Sequence, residues 1–227
     1  MIPLRDSART RKFPIVNISL IVLTVATFIY QETLSQEQLA NLFFQYGLIP
    51  DRFLKANLLF YPGEIIPLFS SVFLHGGWLH LLGNMLYLRV FGDNIEERLG
   101  HGNYLLFYLA MGAVAGIAHT LANPLSPVPT VGASGAVAGI LGAYFISFPH
   151  ARVLTLIPIG FFITTAHLPA FLYLLFWFLL QIINAFMEAG MGAETVAWWA
   201  HIGGFGVGAL FALIFPSFRS PNKERSW

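Results

Sequence analysis

Two residues able to do acyl-transfer chemistry together, a serine and a histidine, stand in similar surroundings far apart in this chain. Ser134 lies in Gly132-Ala133-Ser134-Gly135, at the head of a small-residue apolar run that continues to Phe148. His201 lies in Ala200-His201-Ile202-Gly203-Gly204, followed by Gly206 and Gly208. The first amides of a helix lack intrahelical partners and sit at its positive end, so a serine there can attack while its own amide receives the oxyanion. A histidine within hydrogen-bond reach would serve as its general base. Each motif also has a plainer reading. Small residues let membrane helices approach closely, and a membrane histidine can bond a carbonyl or line an ion path.

Depth favours the chemical reading. A helix from Ser134 to Phe148 is roughly 22 Å long against a hydrocarbon core of about 30 Å, so Ser134 starts below one membrane face. His201 follows Glu194 by seven residues, which puts it within about 10 Å of the end of its own helix. Gly135, Gly139 and Gly142 on one helix would face the glycines after His201 on the other. No aspartate (Asp6, Asp51, Asp93) falls in an expected span, so the unit is a Ser/His dyad rather than a triad. His80 and Asn84 are spaced i, i+4 and share a helix face, where both can donate hydrogen bonds. They suit an oxyanion hole or, taken by themselves, interhelical bonding. His75 and His80 are five apart and not expected to stack. With no His-Glu-x-x-His and no cysteine, neither a metal site nor a cofactor is expected.

The elements that must position these residues are membrane helices. Of 227 residues, 56% are hydrophobic and 10% charged, and the mean hydropathy is +0.69, outside the mix of a soluble domain. No basic tract suits nucleic acid. The expected class is an all-α polytopic membrane protein with six spans and a long interfacial first loop. Residues 1–13 form a basic N-terminus, 14–216 the membrane domain and 217–227 a polar tail.

The first span is read as an anchor from Pro14 to Tyr30, and Gln31–Pro67 as the interfacial loop, with room for short amphipathic helices. The second span runs from Trp78 to about Phe91, and Gly92–Asn103 is a charged turn holding Asp93, Glu96, Glu97 and Arg98. The third runs from Tyr104 to Leu121. The fourth follows Gly132. From Val153 the chain stays apolar to Phe186, too long for one span but divided by Pro158, Gly160 and Pro169, so the fifth starts near Leu168. The sixth runs from Val196 to about Phe215. Met187–Thr195 is a loop.

Of the twelve Lys and Arg residues, all but Arg52 and Lys55 fall on one side of this arrangement, which makes both termini cytoplasmic. His80, Ser134 and His201 then sit near the opposite face.

At this point the residues resemble a rhomboid intramembrane serine protease, over nearly all of Leu74–Ala209. The motifs are His80-Leu-Leu-Gly-Asn84, Glu96-Glu-Arg98-Leu-Gly, Gly132-Ala-Ser134-Gly135 and Ala200-His201-Ile-Gly-Gly204-Phe-Gly-Val-Gly208. The resemblance implies the six-helix rhomboid core, Ser134 as nucleophile and His201 as base. It implies His80, Asn84 and the Ser134 amide as oxyanion donors, and Glu96 and Arg98 as ties in the adjacent turn. It also implies transmembrane protein substrates met in the lipid bilayer, and a multi-pass location such as the bacterial cytoplasmic membrane.

The chain departs from the pattern twice. The first loop lacks the Trp-Arg pair of some members, and Ala138 stands where some carry a ring against the histidine, a place Trp198 or Trp199 would have to fill. The aromatic fifth span and the loop after it are candidates for gate and lid. Two other classes stay open on the residues: a noncatalytic rhomboid-like binder of membrane helices, and a small transporter using Ser134 and His201 as path residues.

Overall fold

The computed structural model describes residues 1–8, 10–56, 61–160, 162–191, 196–215 and 218. The helices are α1 (Ile15–Glu32), α2 (Gln36–Tyr46), α3 (Pro50–Lys55), α4 (Ile66–Ser70), α5 (Trp78–Leu99), α6 (His101–Ala122), α7 (Ser134–Ser147), α8 (Ala170–Met191) and α9 (Trp198–Ile214). Among the described residues α1, α6 and α8 are long and apolar enough to cross a bilayer. Residues 62–73 join α5 as a pair bent by 84°, and α7 and α9 are apolar but shorter.

The centre is α7, whose residues from Gly135 to Tyr144 are all buried. Such a helix must be wrapped on every side, and it is packed by α5, α6, α8 and α9. The approach of α9 is backbone to backbone. A Cβ on Gly208 would lie 2.0 Å from the Gly139 carbonyl oxygen, one on Gly142 2.0 Å from that of Phe205, and one on Gly204 2.3 Å from that of Gly135. The facing stripes are not the simple pair expected. Gly135 and Gly139 turn their Cα hydrogens to α6, where a Cβ would meet Ala115 and Met111 at 2.5 Å, while their carbonyls face α9. A helix between two neighbours uses glycine on both flanks.

Helix α5 corrects the expected turn at Gly92–Asn103. It runs unbroken to Leu99, and the chain turns only at Gly100, whose φ of 76° is left-handed. Gly92 lies within the helix because another helix crosses there: a Cβ would sit 2.3 Å from Asn17 Oδ1. Asn17 donates to the Leu88 carbonyl at 3.0 Å and accepts from the Tyr104 hydroxyl at 2.7 Å. Glu96, from the same stretch, serves α1. Pro14 offers no side-chain cap there, and the Glu96 carboxylate accepts from the Val16 and Asn17 amides at 3.0 and 2.7 Å. It thus supplies both the missing acceptors and a negative charge at the positive end of the helix. Its other partner is His101, at the start of α6. Arg98 lies over the Phe148 ring, 4.8 Å from its centre. Through His101 the pair spans the turn at Gly100, and it also reaches α1 and the end of α7.

The all-α expectation is also corrected. Antiparallel strands β1 (Ile2–Asp6), β2 (Arg152–Ile159) and β3 (Phe162–Pro169) form one sheet in that order. The hairpin turns at Gly160, φ 59°, a conformation that glycine adopts without steric cost. The stretch read only as an overlong apolar run is this hairpin, and the basic N-terminus supplies its third strand. The first loop is largely helical. Ser35 and Gln38 form a reciprocal cap on α2, and Leu48 pairs with Thr130 in an isolated antiparallel bridge. Residues 217–227 of the expected tail lie outside the described residues, Phe218 excepted.

Asp6 ends β1 in a buried polar cluster. It accepts from Asn94 Nδ2 at 2.9 Å and from the Tyr144 hydroxyl, and the same Asn94 nitrogen bonds Asp93 at 2.9 Å. Burial pushes the Asp6 carboxyl up to about 7; the Tyr144 hydrogen bond opposes this and the Asp93 charge adds to it.

Two outcomes follow from this packing. Gly142→Ala or Gly208→Ala, each forcing a Cβ into backbone, costs about 3 kcal/mol or more. Gly206→Ala, with nothing within 4 Å of its Cβ, is neutral or mildly stabilising. Thermal unfolding in detergent separates them, and equal melting of all three would contradict the packing. Asp6, raised in the folded state, contributes stability that is complete below the ordinary carboxylate range and lost as pH rises through about 7. The wild type should melt higher at about pH 5 than at about pH 8 by more than Asp6→Asn does. An identical pH dependence in the two proteins would remove Asp6 from that role.

Candidate active site

Ser134 is the first residue of α7, and the turn that delivers it depends on Gly132. That residue has φ 128°, and a Cβ on it would lie 2.5 Å from His80 Cε1. Its amide donates to the Ser71 carbonyl at 2.9 Å, anchoring the turn to the segment before α5. Two independent constraints, a left-handed backbone and the ring against it, thus select glycine at this position.

Ser134, His201, His80 and Asn84 all line one cavity of about 890 Å³. His201 is buried on α9; its Nε2 is shielded from solvent and makes no hydrogen bond, so no bond to Ser134 is formed in this state. Its Nδ1 lies 2.8 Å from Gln181 Oε1 on α8. No aspartate takes that position: Asp93, on α5 rather than in a loop, is bonded to Asn94 and Thr10. Two rings flank the histidine in place of one on α7, Trp198 edge-on at 5.8 Å and Trp177 tilted at 6.0 Å. Trp199 packs on Phe186 instead. Ala138 instead packs close to α9, its Cβ 3.3 Å from where a Cβ on Gly204 would lie.

The oxyanion candidates have a support that spacing alone did not reveal. His75 Nε2 lies 3.0 Å from Asn84 Nδ2 and accepts from the Ala133 amide at 3.4 Å. One acceptor thus holds both Asn84 and the residue before Ser134, leaving Asn84 a second N–H for the cavity. His75 precedes α5 rather than riding on it. Its ring therefore meets His80 edge to face, centroids 5.1 Å apart, despite the five-residue spacing that argued against contact. Gln31 clasps the His75 backbone, donating to its carbonyl at 2.8 Å and accepting from its amide at 3.1 Å.

A family model, the Rhomboid domain, matches residues 62–218. The chain belongs to the rhomboid family. Within that family it is 43% identical to rhomboid protease GluP of Bacillus subtilis over 89 residues, 39% of this chain and 17% of that protein. It is 38% identical to the putative rhomboid protease YdcA of the same organism over 82 residues, 36% of this chain and 41% of the other. The chloroplastic rhomboid-like protein 11 of Arabidopsis thaliana is 27% identical over 162 residues, 69% of this chain and 54% of its own length. The match to this rhomboid covers less than half the length of either Bacillus protein.

The expected lid falls partly outside the described residues, at 192–195; α8 itself runs to Met191, further than the loop reading allowed. Glu188 near its end receives the Trp198 indole N–H. Motif reading gave Gln181 and Gln31 no role, and set His75 aside on its spacing from His80. For Gln181 the signal was present: it is a polar side chain within an otherwise apolar stretch from Phe171 to Ile183, where an intramembrane polar group marks a site by default.

Proposed function

We propose that this rhomboid is an intramembrane serine endopeptidase that hydrolyses peptide bonds of transmembrane substrates through Ser134 and His201. The observation that carries the reading is one cavity lined by a helix-start serine and by a histidine whose Nε2 is buried and unpartnered. Ser134 Oγ attacks the scissile carbonyl carbon as His201 Nε2 takes its proton. The oxyanion is received by the Ser134 amide, Asn84 Nδ2 and His80. The C–N bond then breaks, the leaving amine takes the proton from His201, and a water repeats the sequence on the acyl-enzyme. Catalytic hydrogen bonds often close only when substrate is bound, in keeping with a Ser134–His201 contact not yet made.

In this reading α1, α5 to α9 are six spans with both termini cytoplasmic, and Ser134 meets substrate within about 10 Å of the outer face. The location is a cell membrane, such as the bacterial cytoplasmic membrane. A helix surrenders its carbonyl only where its own hydrogen bonds loosen. Glycine costs about 1 kcal/mol and proline about 3 in a helix interior, so such residues near the outer end of a substrate speed cleavage. The aromatic face of α8 is the side from which a substrate helix would enter.

The test is a reconstituted single-span substrate. The wild type cuts near the outer end, Ser134→Ala and His201→Ala lose activity while remaining folded, and Asn84→Ala is slower by roughly a hundredfold. Chelators leave the rate unchanged. Turnover by Ser134→Ala, or cuts at the cytoplasmic end, would refute the assignment.

A further inference from the structure

The bond between His201 and Gln181 settles which nitrogen of the imidazole carries its proton. Gln181 Nε2 lies 2.8 Å from the Trp177 carbonyl, one turn back on α8. A carbonyl only accepts, so the nitrogen end of the amide must face it. That leaves Oε1 toward His201 Nδ1, at 2.8 Å. Oε1 also only accepts, so the ring hydrogen sits on Nδ1. A neutral imidazole has one such hydrogen. Nε2 therefore holds the lone pair, and it is the nitrogen left without a partner beside the cavity that Ser134 lines.

We propose that Gln181 is the positioning residue of this site: it fixes the Nδ1–H tautomer of His201 and the direction of its ring, so that Nε2 stands ready to accept the Ser134 proton. The role rests on the reading of Ser134 and His201 as nucleophile and base. It explains how a dyad without an aspartate keeps its base oriented. A carboxylate in this position would bring a charge into the helix bundle at a large desolvation cost. The amide orients the ring and selects the tautomer while staying neutral. Its own orientation is set locally by the i, i+4 bond to Trp177, whose indole also flanks the imidazole. Because Gln181 belongs to α8 and His201 to α9, the base is set only while those helices are packed together. A tie that merely joined the two helices would need no defined tautomer, and this difference makes the proposal testable.

The decisive readout does not require proteolysis. In the histidine-¹⁵N-labelled full chain in lipid nanodiscs, the His201 resonances are assigned by their loss in His201→Ala. The wild type should show a single Nδ1–H tautomer, and Gln181→Leu a mixture or the Nε2–H form. Gln181→Glu, neutral in this buried site with its acid hydrogen donated to the Trp177 carbonyl, keeps an acceptor toward Nδ1 and should restore Nδ1–H. In the cleavage assay Gln181→Leu should lower kcat by roughly a hundredfold with KM little changed, and Gln181→Glu should recover most of that loss. If Gln181→Leu does not fold, Gln181→Met takes its place as the variant without an oxygen acceptor. An unchanged tautomer in the folded Leu or Met variant would overturn the proposal. So would a kcat equal to wild type, or a Glu variant as impaired as the Leu variant. A wild type that cleaves nothing would sink the protease reading by itself, while the tautomer comparison would still decide what Gln181 does.

Discussion

The contact on which everything else depends is the backbone approach of α7 and α9 at Gly142, Gly204 and Gly208. Within a bilayer there is no hydrophobic drive between helices, so association relies on dispersion at close range and on polar groups that find one another. Removing side chains from the seam allows the first. It also fixes where the second can occur, because Ser134 at the start of α7 and His201 near the start of α9 are carried to one cavity by helices locked in register. A single methyl group in that seam would separate them.

Around the seam, polar ties fix the helix ends and crossings. Glu96 caps α1 and reaches His101, Arg98 rests on Phe148 at the end of α7, and Gly92 lets α1 cross α5. At the same end of α7, β1 brings Asp6 to Tyr144, and the hairpin leads directly into α8. At the other end, Gln31 holds the His75 backbone, and His75 holds Asn84 and Ala133. Two of the side chains that line the cavity are thus held from outside their own helix, Asn84 by His75 and His201 by Gln181.

Much of the helical frame was legible because membrane spans announce themselves by length and hydropathy, and because glycine, serine and histidine are conspicuous in them. Ser134 heads α7 where the small-residue run begins, and α6 and α9 lie within three residues of their expected bounds. The sheet was hidden for a physical reason. Strands β2 and β3 lie in an apolar run continuous with α8, and β1, in the basic N-terminus, finds its partner some 150 residues away, a pairing no local pattern encodes. The continuation of α5 through Gly92 was hidden because a glycine that admits a crossing helix looks the same in sequence as one that breaks a helix. Gln181 and His75 act through neighbours remote in the chain, and only the packing of α8 on α9 and of α5 against the turn at Gly132 gives them a role.

The claim at the centre of this account is that Ser134 is a nucleophile activated by His201. It is tested most directly by treating membranes containing the chain with a fluorophosphonate and locating the adduct by mass spectrometry. The account predicts phosphonylation at Ser134 and its loss in folded His201→Ala. An adduct on a different serine, or full labelling of Ser134 without His201, would contradict it.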